Sequence, residues 1–343
     1  MNKSVEMNAA VEELTALMGG FWHTAVIHAL AKLDVAEAFA DKQRSCADVA
    51  AEIEVDASSL FRLMRAAAAL DLAAHHDDDC FSFTQAGRYL RGDVPGSVKG
   101  RAMHVGGELY RAFGDLAQSV ESGAPPGWIK HGPAGFAALN EDPQTAAIFN
   151  QAMVDGSRSV ALKAAEVYDF GRFKRIMDVG GGYGAVLAVL LQNNPNQTGV
   201  ILDLAHCADG AAAYLKAQGV AGRARFVTGS FFESVPAEAD CYILKYIVHD
   251  WSDDYARTLL GNCSAAAKAS DGVVVLIERI VPERIGAEQQ HGSVVMSDLT
   301  MMLWAGKERT EAEFRSLLKE AGLKLSDLFH IDDTFYVIEA VPL

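Results

Sequence analysis

The chain has 343 residues, half of them apolar, and a formal net charge of −15 at pH 7. This length suggests two domains, and this apolar content supports a large core and excludes a disordered chain. The acidic excess argues against nucleic-acid and anionic-membrane partners, which are bound through clustered Lys and Arg.

Targeting signals and cysteine usage both indicate a cytoplasmic protein. Residues 1–17 lack the basic-then-apolar order of a signal peptide, and apolar runs such as Val273–Ile277 are too short to span a bilayer. The cysteines form no C-x-x-C pair and are expected to be reduced, mostly buried thiols. They are Cys46, Cys80, Cys207, Cys241 and Cys263.

The first half of the chain is predicted to be mostly helical. Apolar residues at helical spacing run from Val11 to Leu33, and Ser45 and Asp56 are placed as N-caps of two short helices. A hairpin with an acidic tip at Asp77–Asp79 follows. Two short helices and a hairpin are typical of a winged helix, which often binds DNA, so a DNA-binding regulator is one hypothesis.

Further helices are predicted over 98–121 and 136–168, the second with a break at Pro143 and a candidate break at Gly156. From about residue 171, apolar strand-like runs alternate with helical stretches, which predicts a parallel sheet with helices on both faces. The predicted strands are 176–179, 199–202, 225–228, 241–245, 273–278, 323–329 and 334–340. The predicted helices are 185–192, 207–218, 253–269 and 311–321.

These elements predict an α/β fold. Residues 171–343 are expected to form a Rossmann-like domain with a mostly parallel seven-stranded sheet. The last two strands, joined by the turn Asp332-Asp333, are expected to make an antiparallel hairpin at its edge. Residues 1–170 are expected to form the helical domain.

The most informative stretch is Arg175-Ile-Met-Asp-Val-Gly-Gly-Gly-Tyr-Gly184. It predicts a strand, a turn without side chains and the start of a helix, the place where an α/β fold brings a nucleotide-like ligand against backbone. Gly180, Gly182 and Ala185 also match the dinucleotide pattern G-x-G-x-x-G/A, so a nicotinamide-dependent oxidoreductase is a second hypothesis.

Asp178 separates these two kinds of ligand. A dinucleotide brings an anionic pyrophosphate to this turn, and a carboxylate two residues before the first glycine would repel it. S-adenosylmethionine instead brings an ammonium and a sulfonium, which a carboxylate favours. The stretch therefore favours S-adenosylmethionine.

Polar residues at the ends of the other strands are the next candidates, because ligands of open parallel sheets lie beyond the carboxyl ends of the strands. Asp203 ends the second strand, where its carboxylate suits ribose hydroxyls. Ser230 and Phe231 follow the third strand and suit the edge and face of an adenine. Lys245 ends the fourth.

His249 follows the fourth strand and is a natural general base. Glu278, at the end of the fifth strand, and Glu308, before the last helix, could each orient the imidazole or stabilise its cation. Each residue could also have a purely structural role. His249 could be a structural histidine, Asp250 could only fix a turn, and Glu308 could only begin a helix.

The sequence also contains candidates for an aromatic substrate pocket and for a metal site. Met and aromatic residues could line such a pocket or simply pack the core; they are Phe149, Met153, Met296, Met301, Met302 and Trp304. His75-His76 beside three aspartates is interpreted as a solvated hairpin tip, since no partner has ligand spacing, and no metal is expected.

Five motifs occur in order along the chain: Asp178-Val-Gly-Gly-Gly-Tyr-Gly184, Ile201-Leu-Asp203-Leu, Gly229-Ser-Phe-Phe-Glu-Ser-Val-Pro236, Leu244-Lys-Tyr-Ile-Val-His-Asp-Trp251 and Gly306-Lys-Glu-Arg-Thr-Glu-Ala-Glu-Phe314. Together they resemble the plant-type small-molecule O-methyltransferases, the family of caffeic acid and acetylserotonin O-methyltransferases and their bacterial antibiotic-tailoring relatives. The resemblance covers nearly the whole chain.

The resemblance implies an S-adenosylmethionine-dependent enzyme that methylates a hydroxyl, most simply a phenol, of a small aromatic secondary metabolite. It implies an N-terminal winged-helix dimerisation and substrate-lid domain, and hence a homodimer. An apolar first helix without an obvious partner agrees with a dimer. Its apolar residues are Leu14, Leu17, Met18, Phe21 and Trp22.

The resemblance also implies site roles. Gly180 and Gly182 would approach the cofactor, Asp203 would hold its ribose and Lys245 would lie near it. The family usually has an aspartate where this chain has Ser230, so the contact to adenine would lack a charge.

For catalysis, the resemblance implies that His249 takes the substrate proton while Glu278 and Glu308 flank it. A third alternative keeps the fold and the cofactor but uses them for decarboxylation or hydroxylation.

Overall fold

The computed structural model describes residues 3–286 and 292–343, with side chains from residue 9 onwards. The chain divides into two compact units, Met1–Arg111 and Ala112–Leu343. Each unit has its own buried core and is described separately below.

The first unit is mainly helical. A short π-helical turn, Val105–Leu109, follows its last complete helix. Its elements are α1 (Lys3–Met18), α2 (Phe21–Lys32), α3 (Val35–Phe39), β1 (Arg44–Ser45), α4 (Cys46–Glu52), α5 (Ala57–Ala69), β2 (Ala73–His75), β3 (Cys80–Phe83), α6 (Gln85–Arg88) and α7 (Lys99–His104).

Two helix caps and a hairpin predicted from the sequence are confirmed. The Ser45 hydroxyl accepts a hydrogen bond from the Asp48 N–H at 3.1 Å, and Asp56 caps α5 in the same way. Strands β1, β3 and β2 form an antiparallel sheet in that order. At the acidic tip, His75 lies 3.4 Å from Asp79. Whether this arrangement is a true winged helix stays an interpretation.

The apolar segment at the start of this unit is exposed in the isolated chain. Leu17 is 73% exposed and Trp22 is 64% exposed. The stretch Ala9–Lys32 is long and apolar enough, by length and composition alone, to cross a bilayer. This corrects the expectation that every apolar run is too short, which considered only uninterrupted runs. The turn at Gly19-Gly20 divides the stretch into α1 and α2.

The second unit holds the large sheet. Helix α8 (Tyr110–Gly114) spans the division between the units. The other elements are α9 (Leu116–Ser122), α10 (Gly132–Ala138), α11 (Pro143–Val167), β4 (Arg175–Val179), α12 (Ala185–Asn193), β5 (Thr198–Asp203), α13 (Ala208–Ala217), β6 (Ala224–Thr228), β7 (Cys241–Lys245), α14 (Asp253–Ser270), β8 (Val273–Arg279), α15 (Gly292–Met302), α16 (Glu311–Glu320), β9 (Leu323–His330) and β10 (Phe335–Pro342).

The seven strands of this sheet run in the order β6-β5-β4-β7-β8-β10-β9. Strands β4 to β8 are parallel, and β10 pairs antiparallel with both β8 and β9. The α/β fold, the parallel sheet and the antiparallel edge hairpin are therefore confirmed.

Two predicted details differ from the structure. Helix α11 runs unbroken through Gly156, because a glycine in open space inside a helix costs little when the rest of the helix packs. Helix α15 was not predicted, since its sequence lacks a clear helical period of polar and apolar residues.

Side chains of the central strands alternate between two cores. In β7, Tyr242 and Leu244 pack on one face of the sheet, while Cys241 and Ile243 pack on the other. Both faces are covered by helices, so these strands read as continuous apolar runs. A polar residue at a strand end, such as Asp178, is therefore an exception that points to a function.

The unit boundary lies between Arg111 and Ala112, because α11 packs against α12 and joins the core of the sheet. The sequence pattern changes later, near residue 170, where the strands begin. The assignment of residues 1–170 and 171–343 to two domains stays a prediction.

Gly184 begins α12 with a φ of +82°, and a Cβ there would lie 2.5 Å from the Ile201 side chain. We expect Gly184→Ala to destabilise the protein by about 1–3 kcal/mol through backbone strain and overpacking. Gly156→Ala, in the same unit, should instead stabilise it by about 0.5–1 kcal/mol. Urea unfolding followed by circular dichroism measures both. Equal stability of the two variants would contradict the role of Gly184.

Candidate active site

A cavity of about 290 Å³ lies beyond the carboxyl ends of β4, β5, β6 and β7. Small-molecule sites usually occupy roughly 300–1,000 Å³, so this cavity is comparable with the smaller ones. All residues predicted to bind the cofactor line this cavity: Asp178, Gly180, Gly182, Asp203, Ser230, Phe231 and Lys245. All of them belong to the second unit.

The glycine turn lets backbone form one wall of the cavity. Gly180 has a φ of +74°, and a Cβ there would lie 2.6 Å from the Ile247 side chain. The N–H of Gly182 donates to Asp203 Oδ2 at 2.6 Å, and that of Leu204 donates to Oδ1 at 2.6 Å. Asp203 thus fixes the turn, and Cys207 is a further side-chain hydrogen-bond partner of its carboxylate.

Two buried groups of opposite charge face the same cavity. Burial raises the pKa of Asp178 to about 7, and its Oδ2 has no hydrogen-bond partner. Burial lowers the pKa of Lys245 to about 7, and its Nζ donates to the Ser157 hydroxyl at 2.9 Å. An unpartnered acceptor beside a weakened cation is an electrostatic setting that a positively charged ligand would stabilise.

Helix α11 supplies two cavity residues that the sequence analysis missed. Ser157 and Asn150 are buried, and Asn150 Nδ2 has no hydrogen-bond partner. They lie next to, or one turn from, the predicted pocket residues Phe149 and Met153. Helical spacing from Phe149 through Met153 to Ser157 was the signal that could have found them.

Aromatic rings and a small hydroxyl form the rim after β6. The Ser230 hydroxyl accepts from the N–H of Phe232 at 3.3 Å. Phe231 packs edge-to-face on Trp251, with ring centroids 5.8 Å apart. Trp251 also lines the cavity and contacts Phe136. This rim can accept a flat heterocycle between aromatic faces.

His249 lies on the turn after β7 and is 7% exposed. Its Nδ1 is 3.0 Å from Glu308 Oε1, and its Nε2 is 3.4 Å from Asp250 Oδ1. Glu308 Oε1 also accepts from the Ser297 hydroxyl of α15 at 2.6 Å. The structure therefore brings together His249 and Glu308, which are far apart in the sequence.

The carboxylates decide the charge of this histidine. Burial by itself lowers the pKa of His249, but the negative charges of Glu308, Asp250 and Glu278 outweigh it and raise the pKa to about 10. Burial raises the pKa of Glu308, but the His249 charge reverses this and keeps it below its usual value. The carboxylates therefore stabilise the protonated form of the imidazole, which is the form that proton transfer to His249 produces.

Glu278 and Asp250 have different places around the imidazole. Glu278 is fully buried, and its Oε1 accepts from the N–H groups of Ile247 and Val248, at 3.1 and 2.8 Å. Burial raises its pKa to about 7 and that of Asp250 to about 6. Glu278 thus holds the backbone that precedes His249.

These side chains also offer ligand atoms for a cation. One ligand atom from each of His249, Glu278 and Glu308 lies within 4.8 Å of the others. His249 Nδ1 is engaged by Glu308, and one oxygen of Glu278 is engaged by backbone, so we interpret the cluster as a base with two carboxylates. That the protein needs no metal stays a prediction.

The predicted pocket residues divide into two groups. Phe149 and Met153 line the cavity, as does Asp250. Met301, Met302 and Trp304, at the end of α15, are not among its lining residues. Trp304 packs on a separate small cluster with Leu303, because the chain turns where the Gly306 N–H donates to Met301 O.

This chain matches two known protein families and several solved structures. The O-methyltransferase domain family matches residues 113–324, and the O-methyltransferase dimerisation domain family matches residues 15–93. Phenazine O-methyltransferase PhzM of Lysobacter antibioticus is 32% identical over 331 residues, 96% of each chain. The solved structure of LaPhzM has a TM-score of 0.90 at 30% identity, covering 97% of this chain and 99% of its own.

A second solved structure carries ligands. It is an O-methyltransferase from neocarzinostatin biosynthesis in complex with S-adenosylmethionine and 2-hydroxy-5-methyl naphthoic acid, with a TM-score of 0.76 and 30% identity, covering 94% of this chain and 96% of its own. These matches favour an S-adenosylmethionine-dependent methyltransferase over a nicotinamide-dependent oxidoreductase or a DNA-binding regulator. The chain belongs to the S-adenosylmethionine-dependent O-methyltransferase family, and it is a methyltransferase of that family.

Proposed function

We propose that this enzyme methylates a phenolic hydroxyl of a small aromatic secondary metabolite, with His249 as the general base. The observation that carries the proposal is the 3.0 Å contact between His249 Nδ1 and Glu308, next to the cavity-lining residues Tyr246 and Asp250. This contact fixes which ring nitrogen is engaged and directs Nε2 away from Glu308.

The acceptor class is supported by the cavity and by the relatives. Phe149 and Met153 offer an apolar wall on the α11 side of the cavity. One relative is a phenazine O-methyltransferase, and another was solved with a naphthoic acid. A planar phenol of one to three rings suits these surroundings. We further propose that Met301, Met302 and Trp304 contact the acceptor when it binds.

The residues around the glycine turn fit S-adenosylmethionine. The Asp203 carboxylate is an acceptor for the ribose hydroxyls, and Ser230 and Phe231 suit the adenine. The unpartnered Asp178 oxygen is an acceptor for the ammonium, while Lys245 and Asn150 offer donors to the carboxylate. Gly180 and Gly182 would allow close backbone approach.

The mechanism assigns one proton transfer to this chain. S-adenosylmethionine, when bound, supplies a methyl group whose carbon is activated by the attached sulfonium. His249 in its neutral form would accept the hydroxyl proton of the acceptor at Nε2 while the acceptor oxygen takes the methyl group, the carbon–sulfur bond breaks and S-adenosylhomocysteine leaves. Glu308 stabilises the imidazolium, and Glu278 holds the loop. A phenol has a pKa near 10, so only about one molecule in a thousand is ionised at pH 7 without such a base.

Loss of the base should leave the cofactor site intact. We expect His249→Ala to lower kcat by roughly a hundredfold or more, since general bases contribute about 10²–10⁴. The dissociation constant for S-adenosylhomocysteine, from calorimetry, should stay within about twofold because His249 lies outside its proposed contacts.

His330→Ala, at an exposed histidine of β9, is the matched control and should keep full activity. Methyl ether and S-adenosylhomocysteine formed in equal amounts would support methylation. S-adenosylhomocysteine without a methylated product, or an unchanged turnover in His249→Ala, would contradict the proposal. A decarboxylated or hydroxylated product would identify the alternative use of the same fold.

Cofactor binding should depend on pH. As pH rises through about 7, Asp178 ionises and Lys245 loses its proton. Both changes make the cavity more negative, so the affinity for S-adenosylmethionine relative to S-adenosylhomocysteine should rise by about tenfold between pH 6 and 9. S-adenosylhomocysteine lacks the sulfonium charge and should change less. Calorimetry at several pH values measures both, and identical profiles would contradict this reading.

The first unit supports a homodimer. It contains the dimerisation-family match, residues 15–93, and the exposed apolar face of α1 and α2. We propose that this face packs against a second copy of the chain. A cytoplasmic location and the lack of nucleic-acid and membrane partners remain predictions.

Charges on this face should separate the subunits. We expect the double variant Leu17→Glu, Trp22→Glu to raise the dimer dissociation constant by about 100-fold or more, since buried charges are costly at an interface. Val120→Glu is a control, at a 64% exposed apolar residue of the second unit, and should stay dimeric. Multi-angle light scattering measures the mass. A monomeric parent protein would contradict the dimer.

A further inference from the structure

Tyr246 occupies an unusual backbone position between Lys245 and the His249 turn. Its φ is +55°, a left-handed conformation that residues with side chains rarely adopt. Such a conformation persists only where the surroundings fix it, and it is frequent at functional sites. Here the Tyr246 N–H donates to Ile277 O of β8 at 3.2 Å, which holds the backbone in place.

This backbone conformation places the Tyr246 ring flat against the imidazole of His249. The two ring centroids are 4.8 Å apart and the planes differ by 4°. The imidazole is therefore held on two sides, at its Nδ1 edge by Glu308 and on a face by the tyrosine.

The tyrosine ring is itself fixed at its far end. Arg279 Nε donates to the Tyr246 hydroxyl oxygen at 2.9 Å, and Phe335 of β10 contacts the ring at 5.1 Å between centroids. Lys245 Nζ lies 3.9 Å from the ring centroid. A ring with so many contacts cannot turn freely, so it can impose its plane on the neighbouring imidazole.

Charge adds a second effect to this geometry. The base becomes an imidazolium when it accepts a proton, and a cation over an aromatic face is stabilised by the ring quadrupole. The carboxylates around His249 are Glu308, Asp250 and Glu278, and the cations Lys245 and Arg279 contact the tyrosine ring itself. Tyr246 differs from the carboxylates because its ring favours the His249 imidazolium without carrying a charge of its own.

We propose that Tyr246 is a positioning residue for the base: its ring sets the plane of the His249 imidazole and stabilises the imidazolium, while Arg279 holds the ring. This proposal rests on the proposed function in one respect, the role of His249 as the proton acceptor. The stack itself does not depend on that role and can be tested without turnover.

Two substitutions separate the ring from its hydroxyl. Tyr246→Leu removes the aromatic face, and we expect kcat on the high-pH plateau to fall about tenfold. KM for the acceptor and the dissociation constant for S-adenosylhomocysteine should change less than about threefold. The pH of half-maximal kcat should fall, because the imidazolium loses a stabilising contact. Tyr246→Phe keeps the face and loses only the Arg279 bond, so its kcat should fall by about threefold or less.

A spectroscopic measurement tests the stack without turnover. In protein labelled with ¹³C-histidine, the His249 Cε1–H resonance, assigned by its loss in His249→Ala, should be shifted upfield by the tyrosine ring current. The shift should persist in Tyr246→Phe and disappear in Tyr246→Leu.

The outcomes distinguish the two proposals. An unchanged resonance in Tyr246→Leu overturns the positioning role whatever the turnover. A loss of kcat that is matched by lost S-adenosylhomocysteine affinity, with no change in the pH profile, also overturns it. If His249→Ala is fully active while the resonance still moves in Tyr246→Leu, the base assignment fails and the stack stands.

Discussion

The candidate active site depends on one buried contact between distant parts of the chain, the hydrogen bond from His249 Nδ1 to Glu308 Oε1. Its two partners are 59 residues apart and almost without solvent. An ion pair in such surroundings is held only when further hydrogen bonds fix both partners. Ser297 donates to the Glu308 carboxylate, and the Lys307 N–H donates to His249 O at 2.7 Å.

Arg309 is 1% exposed and supports the contact between His249 and Glu308. Its guanidinium donates to Val248 O at 2.9 Å and to Trp251 O at 2.8 Å, the carbonyls on either side of the His249-Asp250 pair. It also pairs with Asp253 at 2.8 Å, at the start of α14. Arg309 therefore locks the segment that carries Glu308 to the turn that carries His249. A planar fork with five donors suits this task, and a lysine could not replace it.

Much of the fold and part of the site could be predicted because local chemistry determines them. Strands buried on both faces read as apolar runs, and Asp178, Asp203 and Lys245 stand out at their ends. Other features depend on tertiary packing that no local pattern encodes. Asn150 and Ser157 face the cavity only because α11 packs on the sheet, and the few polar residues of α15, such as Ser297, form only a weak helical pattern. The choice of Glu308 over Glu278 as the histidine's partner required the folded geometry.

The position of strand β10 has a consequence for folding during synthesis. It lies between β8 and β9, and its Tyr336 pairs with Glu278 at the end of β8. A nascent chain leaving the ribosome cannot complete this sheet until its last strand has emerged. Until then β8 presents an unpaired, apolar edge that other chains could join. Pairing of β10 with β8 therefore covers this edge and completes the sheet beside Glu278.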